Sequence, residues 1–278
     1  MGRCRGKRVS RRAIGHPGLR RHAGVFLEIK RRDRWIQTLE AQWTALHRVC
    51  TDLASRTRLA RLIHRLTGHD RGARESALAE LELATLLIRA GFRIGFLPES
   101  QAKTADLHCV LDRDGFFVEI TALVGSRHRS HRPWTGRGRN GEDEETEERG
   151  EVLIGRLLAR ISQKARQLVH YCAPVVLAIS VPRHDWLPQR MEQALDLKRL
   201  AGAITVLLPR VRHLSAVLLS LWDVEPLPSR SGVRLANVHV VERSQQQAAC
   251  PRIRALVINP AAGYALSRPE LQALKGLL

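Results

Sequence analysis

Cysteine is scarce and scattered. The five residues lie singly at 4, 50, 109, 172 and 250, with no two at metal-ligand spacing. That argues against a zinc ribbon or a disulfide framework and for a reducing compartment. Long apolar runs are missing too: none approaches the ~18 residues of a membrane span, and the basic N-terminal segment lacks an apolar h-region. The expectation is a soluble, cytoplasmic protein with no membrane partner. Internal repeats are absent. The GxGxN at Gly136–Gly138 follows no strand, which excludes a dinucleotide fingerprint.

Lysine is also sparse, at six of 46 basic residues, yet the chain carries a net charge of +19 and a pI of about 11.2. So large an excess favours polyanionic partners, nucleic acid first. The dominance of arginine also has a compositional reading, since a GC-rich genome enriches arginine without any binding role. With 278 residues the chain is long enough for one large domain or two small ones, with a sizeable core. Residues 1–30 carry many Arg and Gly and one acid, Glu28. They read as a basic, disordered arm, which a mis-assigned start codon would also produce. The remainder, 31–278, reads as one domain.

Helical spacing marks 33–66 as one or two helices through Trp35, Leu39, Trp43, Leu46, Leu53, Leu59, Leu62 and Ile63, and 73–90 as another that ends at Gly91. Phe92–Leu97 reads as a strand. Residues 125–150 read as a long polar loop, basic then acidic, followed by a helix over 151–171 and the buried strand Val175–Val181. Beyond it, 187–199 reads as a helix, and Ala203–Leu208, Ser215–Leu221, Val238–Val241 and Ile253–Ile258 as strands, with a short helix to close. The central order is helix, three strands, helix, strand, which is an α/β or mixed α+β class.

Two carboxylates thirteen residues apart stand out in TADLHCVLDRDGFFVEIT. Asp112-Arg113-Asp114-Gly115 is a hairpin signal. With the two-residue turn at either Arg113-Asp114 or Asp114-Gly115, paired positions sum to an odd number. Leu107, Cys109, Leu111, Phe116, Val118 and Ile120 then share an apolar face, and Asp106, His108, Val110, Phe117, Glu119 and Thr121 share the other. Asp106 and Glu119 converge, close enough for one divalent ion.

Two helices each carry a charge inside the apolar stripe. At 100° per residue, Glu80 falls within the arc of Ala77, Leu81, Ala84, Leu87 and Ile88, while Glu82 points away toward solvent. Lys164 falls among Leu153, Ile154, Leu157, Leu158, Ile161, Ala165 and Leu168. Burying a lone charge is costly, so each calls for a partner or a role. The alternatives are a boundary glutamate and a snorkelling lysine.

Glu80-(x)3-Ala84, Gly91-Phe92-Arg93-Ile94, Ala105-Asp106-Leu107, Phe117-Val118-Glu119-Ile120-Thr121 and Lys164-(x)2-Gln167, in that order, resemble the PD-(D/E)XK nuclease superfamily, most closely its uncharacterised bacterial members. The tail Val257-Ile258-Asn259-Pro260-Ala261-Ala262 adds a weaker likeness. The resemblance implies an αβββαβ restriction-endonuclease-like core over 73–181, with N-terminal helices and extra C-terminal strands. It implies Mg²⁺-dependent phosphodiester hydrolysis, with Mn²⁺ as a second usable ion. Asp106 and Glu119 would be metal ligands, Glu80 would complete the site, and the Ile120 carbonyl would be a further ligand. Hard oxygen donors suit Mg²⁺, which polarises a phosphate and acidifies bound water. Ala105 replaces the motif's proline and Thr121 its lysine, so Lys164 would supply the cation from the following helix.

Arg127, Arg129, Arg132 and Trp134 offer phosphate contacts and a stacking ring, with Gln167 as a further nucleic-acid contact. A solvated loop is the competing reading of that basic stretch. His128-(x)2-His131 lacks further zinc ligands. His108 reads as an ordinary polar-face histidine or a support for the site. The functional expectation is a metal-dependent nuclease with DNA favoured. The alternative is a nucleic-acid-binding or regulatory protein of the same fold without cleavage. A third reading is an interaction protein with a compositional arginine excess. Oligomeric state stays open, a homodimer included.

Overall fold

The computed structural model describes residues 37–98, 105–124, 141–182, 193–227, 235–244 and 250–278, with side chains from 150 onward in the third stretch. The expected arm at 1–30 lies outside them. The chain divides into two compact units, Met1–Glu40 and Ala41–Leu278, and the second carries the features below. Ahead of Asp52 a helix, α1, is described over 37–49.

Asp52 starts α2 (Leu53–Thr67) by accepting from the Ser55 N–H at 2.8 Å. Asp70 starts α3 (Arg71–Arg89) by accepting from the Ala73 N–H at 3.0 Å. Each side-chain oxygen satisfies a first-turn amide that has no partner within the helix. Gly91 follows α3 at φ +92°, a left-handed conformation that lets the chain turn into β1 (Arg93–Phe96).

β1, β2 (Leu107–Leu111) and β3 (Asp114–Ala122) run antiparallel. β3 then pairs in parallel with β4 (Val175–Val181), which pairs in parallel with β6 (Ala216–Leu221). Parallel pairing needs a crossover, and α4 (Gly141–Gln167) supplies it between β3 and β4. β9 (Ile253–Ile258) and β8 (Val238–Glu242) complete a seven-stranded mixed sheet in the order β1-β2-β3-β4-β6-β9-β8. The fold is mixed α+β, and from α3 to β4 its elements run helix, three strands, helix, strand. α6 (Arg268–Lys275) ends the chain with a capping box between Ser267 and Glu270.

The sheet is packed on both faces. Ile120, Ala178 and Leu218 face Ala79, Leu83 and Leu86 of α3. On the other face Leu177, Ile179, Val217, Leu219 and Val257 join Leu157, Ile161 and Ala165 of α4 in one buried cluster. Asn259 is structural: its side-chain amide donates to the carbonyls of Leu208 (3.0 Å) and Leu214 (2.7 Å).

Several expectations change. The hairpin turn is Asp112-Arg113, since Leu111 pairs with Asp114. Asp112 sits at φ +54°, a conformation Asp tolerates better than most residues. Gly115 is a strand residue instead; a Cβ there would lie 3.1 Å from the His108 ring and 3.3 Å from the Cys109 carbonyl. The paired positions still sum to an odd number, so the two faces keep the expected side chains.

Ala203–Leu208 is not a strand. It lies mostly in α5 (Leu197–Leu207), started by Asp196, whose carboxylate accepts from the Lys198 and Arg199 amides. Leu200, Ile204 and Leu208 bury at helical spacing, so a short apolar run belonged to a period of 3.6 and not 2. The helix expected over 187–199 gives way at its C-terminal end to β5 (Gln193–Leu195), paired with β7 (Val224–Pro226), and to the start of α5. The acidic half of the expected polar loop is helical from Gly141, consistent with glutamate's helix propensity and with acids near a helix N-terminus. Glu82 does not point to solvent: Arg254 of β9 donates to it at 2.8 Å. The sheet extends past α3 far enough that β9 covers the flank a two-state helical wheel assigned to water.

Candidate functional site

The β2–β3 register sets the first geometry. Leu107 lies opposite Val118, so the next step brings Asp106 beside Glu119. The Asp106 N–H donates to the Val118 carbonyl at 2.9 Å, and its Oδ2 accepts from the Ile120 N–H at 2.7 Å. Ile120 therefore engages Asp106 through its amide, whereas the resemblance assigned a role to its carbonyl. Ahead of Asp106, the Ala105 N–H donates to the Tyr171 hydroxyl at 2.7 Å. The Tyr171 ring packs tilted against Phe117 at 4.7 Å between centroids, and Phe117 packs tilted against His108 at 4.9 Å. This aromatic row braces the strand end that carries Asp106, with His108 a member of it.

Lys164 leaves the inward stripe of α4 beside Ile161, Ala165 and Leu168 and reaches Glu119, with Nζ 2.5 Å from Oε1. Thr121, two residues along β3 from Glu119, is buried. Its hydroxyl stands where the resemblance would have a lysine. Gln167 closes α4 about one turn beyond Lys164 and is partly buried. Arg127, Arg129, Arg132 and Trp134, like His128 and His131, lie outside the described residues.

Glu80 is 2% exposed on α3 and makes two ion pairs with α2. Arg65 Nη1 lies 2.7 Å from its Oε1, and Arg58 Nη2 lies 2.9 Å from its Oε2. The same Arg58 Nη2 lies 2.7 Å from Asp106 Oδ1. Sequence reasoning missed both arginines. The test that singled out Glu80 and Lys164 would have found Arg58, which lies within about 60° of Ser55 and Leu62 on the α2 wheel at 100° per residue. Arg65, seven residues on, returns to nearly the same direction. Ser55 also ties α2 to the sheet, its hydroxyl accepting from the Phe96 N–H at 2.9 Å.

Three carboxylates (Glu80, Asp106, Glu119) thus meet three cations (Arg58, Arg65, Lys164) in a largely dehydrated seam. Burial pushes the Asp106 carboxyl well above the usual range, reinforced by Glu80 and Glu119 and opposed by the Ile120 amide and Arg58. Burial also raises Glu119, with Lys164 as the main opposing influence. Both shifts are the expected response of clustered acids in a poorly hydrated place.

The donor chemistry is that of a hard-cation site, but the arrangement is not. Both Glu80 oxygens accept from arginine, and the two Asp106 oxygens accept from Arg58 and the Ile120 amide. Among the described residues no group of three or more His, Cys, Asp or Glu is arranged to hold a metal ion. As placed, these residues do not fit the Mg²⁺ or Mn²⁺ that the resemblance implies. Among the same residues no helix is long and apolar enough to cross a membrane. Comparison of the chain with protein-family models, curated proteins and solved structures returns no match.

Proposed function

We propose that the protein is a nuclease-like phosphodiester hydrolase acting on nucleic acid, with DNA favoured. The observation that carries this reading is the Lys164–Glu119 contact beside Asp106: a lysine from the crossover helix stands against the carboxylate of the strand it follows. An ammonium there is suited to stabilise negative charge building on a phosphate, and a carboxylate at Glu119 is suited to orient an attacking water. The net charge of +19 supports a polyanionic substrate. The free cysteines Cys50, Cys109, Cys172 and Cys250 support a reducing, cytoplasmic setting.

The test is incubation of plasmid and single-stranded DNA with the wild type, Glu119→Ala and Lys164→Ala, with Mg²⁺ or Mn²⁺ and with chelator. Cutting by the wild type that falls at least a hundredfold in both variants supports the reading. Cutting that persists equally in Glu119→Ala sinks it. A second reading, a nucleic-acid-binding or regulatory protein that keeps the fold without cleavage, is favoured by Arg58, which ties up Glu80 and Asp106. It expects DNA retention without cutting under every metal condition.

A further inference from the structure

We propose that Arg58 is an internal counter-ion that competes with a divalent cation for Glu80 and Asp106, so that cation binding requires its guanidinium to leave. The inference rests on the nuclease-like reading of this site and takes its start from the misfit between the donor set and its arrangement.

The competition follows from geometry. A single nitrogen, Nη2 of Arg58, bridges Glu80 Oε2 at 2.9 Å and Asp106 Oδ1 at 2.7 Å. A Mg²⁺ bridging the same two oxygens would stand about 2.1 Å from each, in the space Nη2 fills. The two cations cannot share it, by volume or by charge. Arg58 Nε also donates to Glu80 at 3.3 Å, so the guanidinium grips that carboxylate through two nitrogens.

The charge sum points the same way. With all three carboxyls ionised, Glu80, Asp106 and Glu119 contribute three negative charges, and Arg58, Arg65 and Lys164 contribute three positive ones. A divalent ion added with Arg58 in place would leave an excess of two positive charges in a seam with little water. Exchange of Arg58 for the ion leaves an excess of one, of the sign that a phosphate would offset. Arg58 is itself 7% exposed, and a buried cation of this kind persists only while its carboxylate partners hold it. The arrangement therefore stores the site in a closed, self-neutralised form. Linkage makes the effect reciprocal: whatever draws Arg58 away raises cation affinity, and the cation favours Arg58 outside.

The experiment measures Mn²⁺ binding to the full chain by electron paramagnetic resonance of the free ion, for the wild type, Arg58→Met and Arg58→Lys. Circular dichroism and thermal melting check each fold. The expected result is a Kd for Mn²⁺ at least tenfold lower in Arg58→Met than in the wild type, and intermediate in Arg58→Lys. Mn²⁺ should also raise the melting temperature more in Arg58→Met. Equal, weaker or absent binding in folded Arg58→Met overturns the proposal. Should Arg58→Met fail to fold, Arg58→Lys carries the comparison. Should both fail, the wild-type Arg58 guanidinium resonance decides: it must shift as Mg²⁺ is added while that of Arg65 stays, and an unmoved Arg58 overturns the proposal. DNA cutting is scored separately. Tight Mn²⁺ binding by the variant without any cutting removes the nuclease reading and leaves the competition standing. Cutting with unchanged Mn²⁺ affinity does the reverse.

Discussion

Lys164 and Glu119 stand 45 positions apart in the chain, yet their charged atoms meet at 2.5 Å. One comes from the inward stripe of α4 and the other from the strand that α4 follows. The crossover that makes β3 and β4 parallel neighbours is therefore also what delivers the lysine.

Removing one partner of this pair should cost stability. Lys164→Met leaves Glu119 buried and unpaired. A fully buried broken pair costs about 3–5 kcal/mol; the Lys164 side chain is 20% exposed, so a loss of roughly 2 kcal/mol is expected. Urea denaturation should show it, and Lys164→Met/Glu119→Gln should recover part of the loss. A double variant less stable than Lys164→Met would contradict the pairing argument.

Asp106 should impose a pH dependence. Its carboxyl is raised in the fold, so the folded state holds the proton more tightly than the unfolded chain. The corresponding stability is fully present below the ordinary carboxylate pKa of about 3.9 and is lost as pH rises through the raised value. Asp106→Asn cannot titrate. The stability of the wild type relative to Asp106→Asn should therefore fall as pH rises above about 4. A flat difference across that range, measured by chemical denaturation, would count against the buried acid cluster.

Thiol reactivity reads burial directly. Burial, with Asp52 nearby, pushes the Cys50 thiol up to about 11, and Cys109 is buried on the apolar face of β2. Cys172 is exposed. At pH 8 iodoacetamide should label Cys172 in the native protein and spare Cys50 and Cys109 until urea is added. Mass spectrometry of the peptides gives the answer, and early labelling of Cys50 would contradict its packing against β1, where its Sγ lies 3.9 Å from the Ile94 carbonyl.

Tyr171→Phe keeps the ring contact with Phe117 and removes the acceptor for the Ala105 amide. An amide left without its partner costs about 1–3 kcal/mol. The expected result is a lower melting temperature together with weaker catalysis or binding at the adjacent Asp106. An unchanged melting temperature would mean that water replaces the hydroxyl at no cost.

Much of the site was legible because it follows local periods. Alternation along β2 and β3 put Asp106, His108, Phe117 and Glu119 on one face, and it did so even with the turn displaced to Asp112-Arg113, because a shift of the turn by a whole residue moves paired sums by two and preserves parity. The helical wheel flagged Glu80 and Lys164 as charges facing inward. The same periods misled where a run was short: Ala203–Leu208 is apolar apart from Thr205, and six residues do not separate a strand from the buried side of a helix. Glu82 failed for another reason, since a wheel knows one core direction and β9 lies on the other flank.

The class of fold, the two faces of the hairpin and the need of certain charges for partners are readable from residue order, because they follow from periods of 2 and 3.6 and from the cost of burying an ion. The identity of those partners is set by long-range packing. Arg58 is 22 positions from Glu80 and 48 from Asp106. No local rule links α2 to α3 and to the end of β2. Their meeting depends on how the helices lie across the sheet, and it is this packing that sets a guanidinium where the sequence alone had pointed to a metal ion.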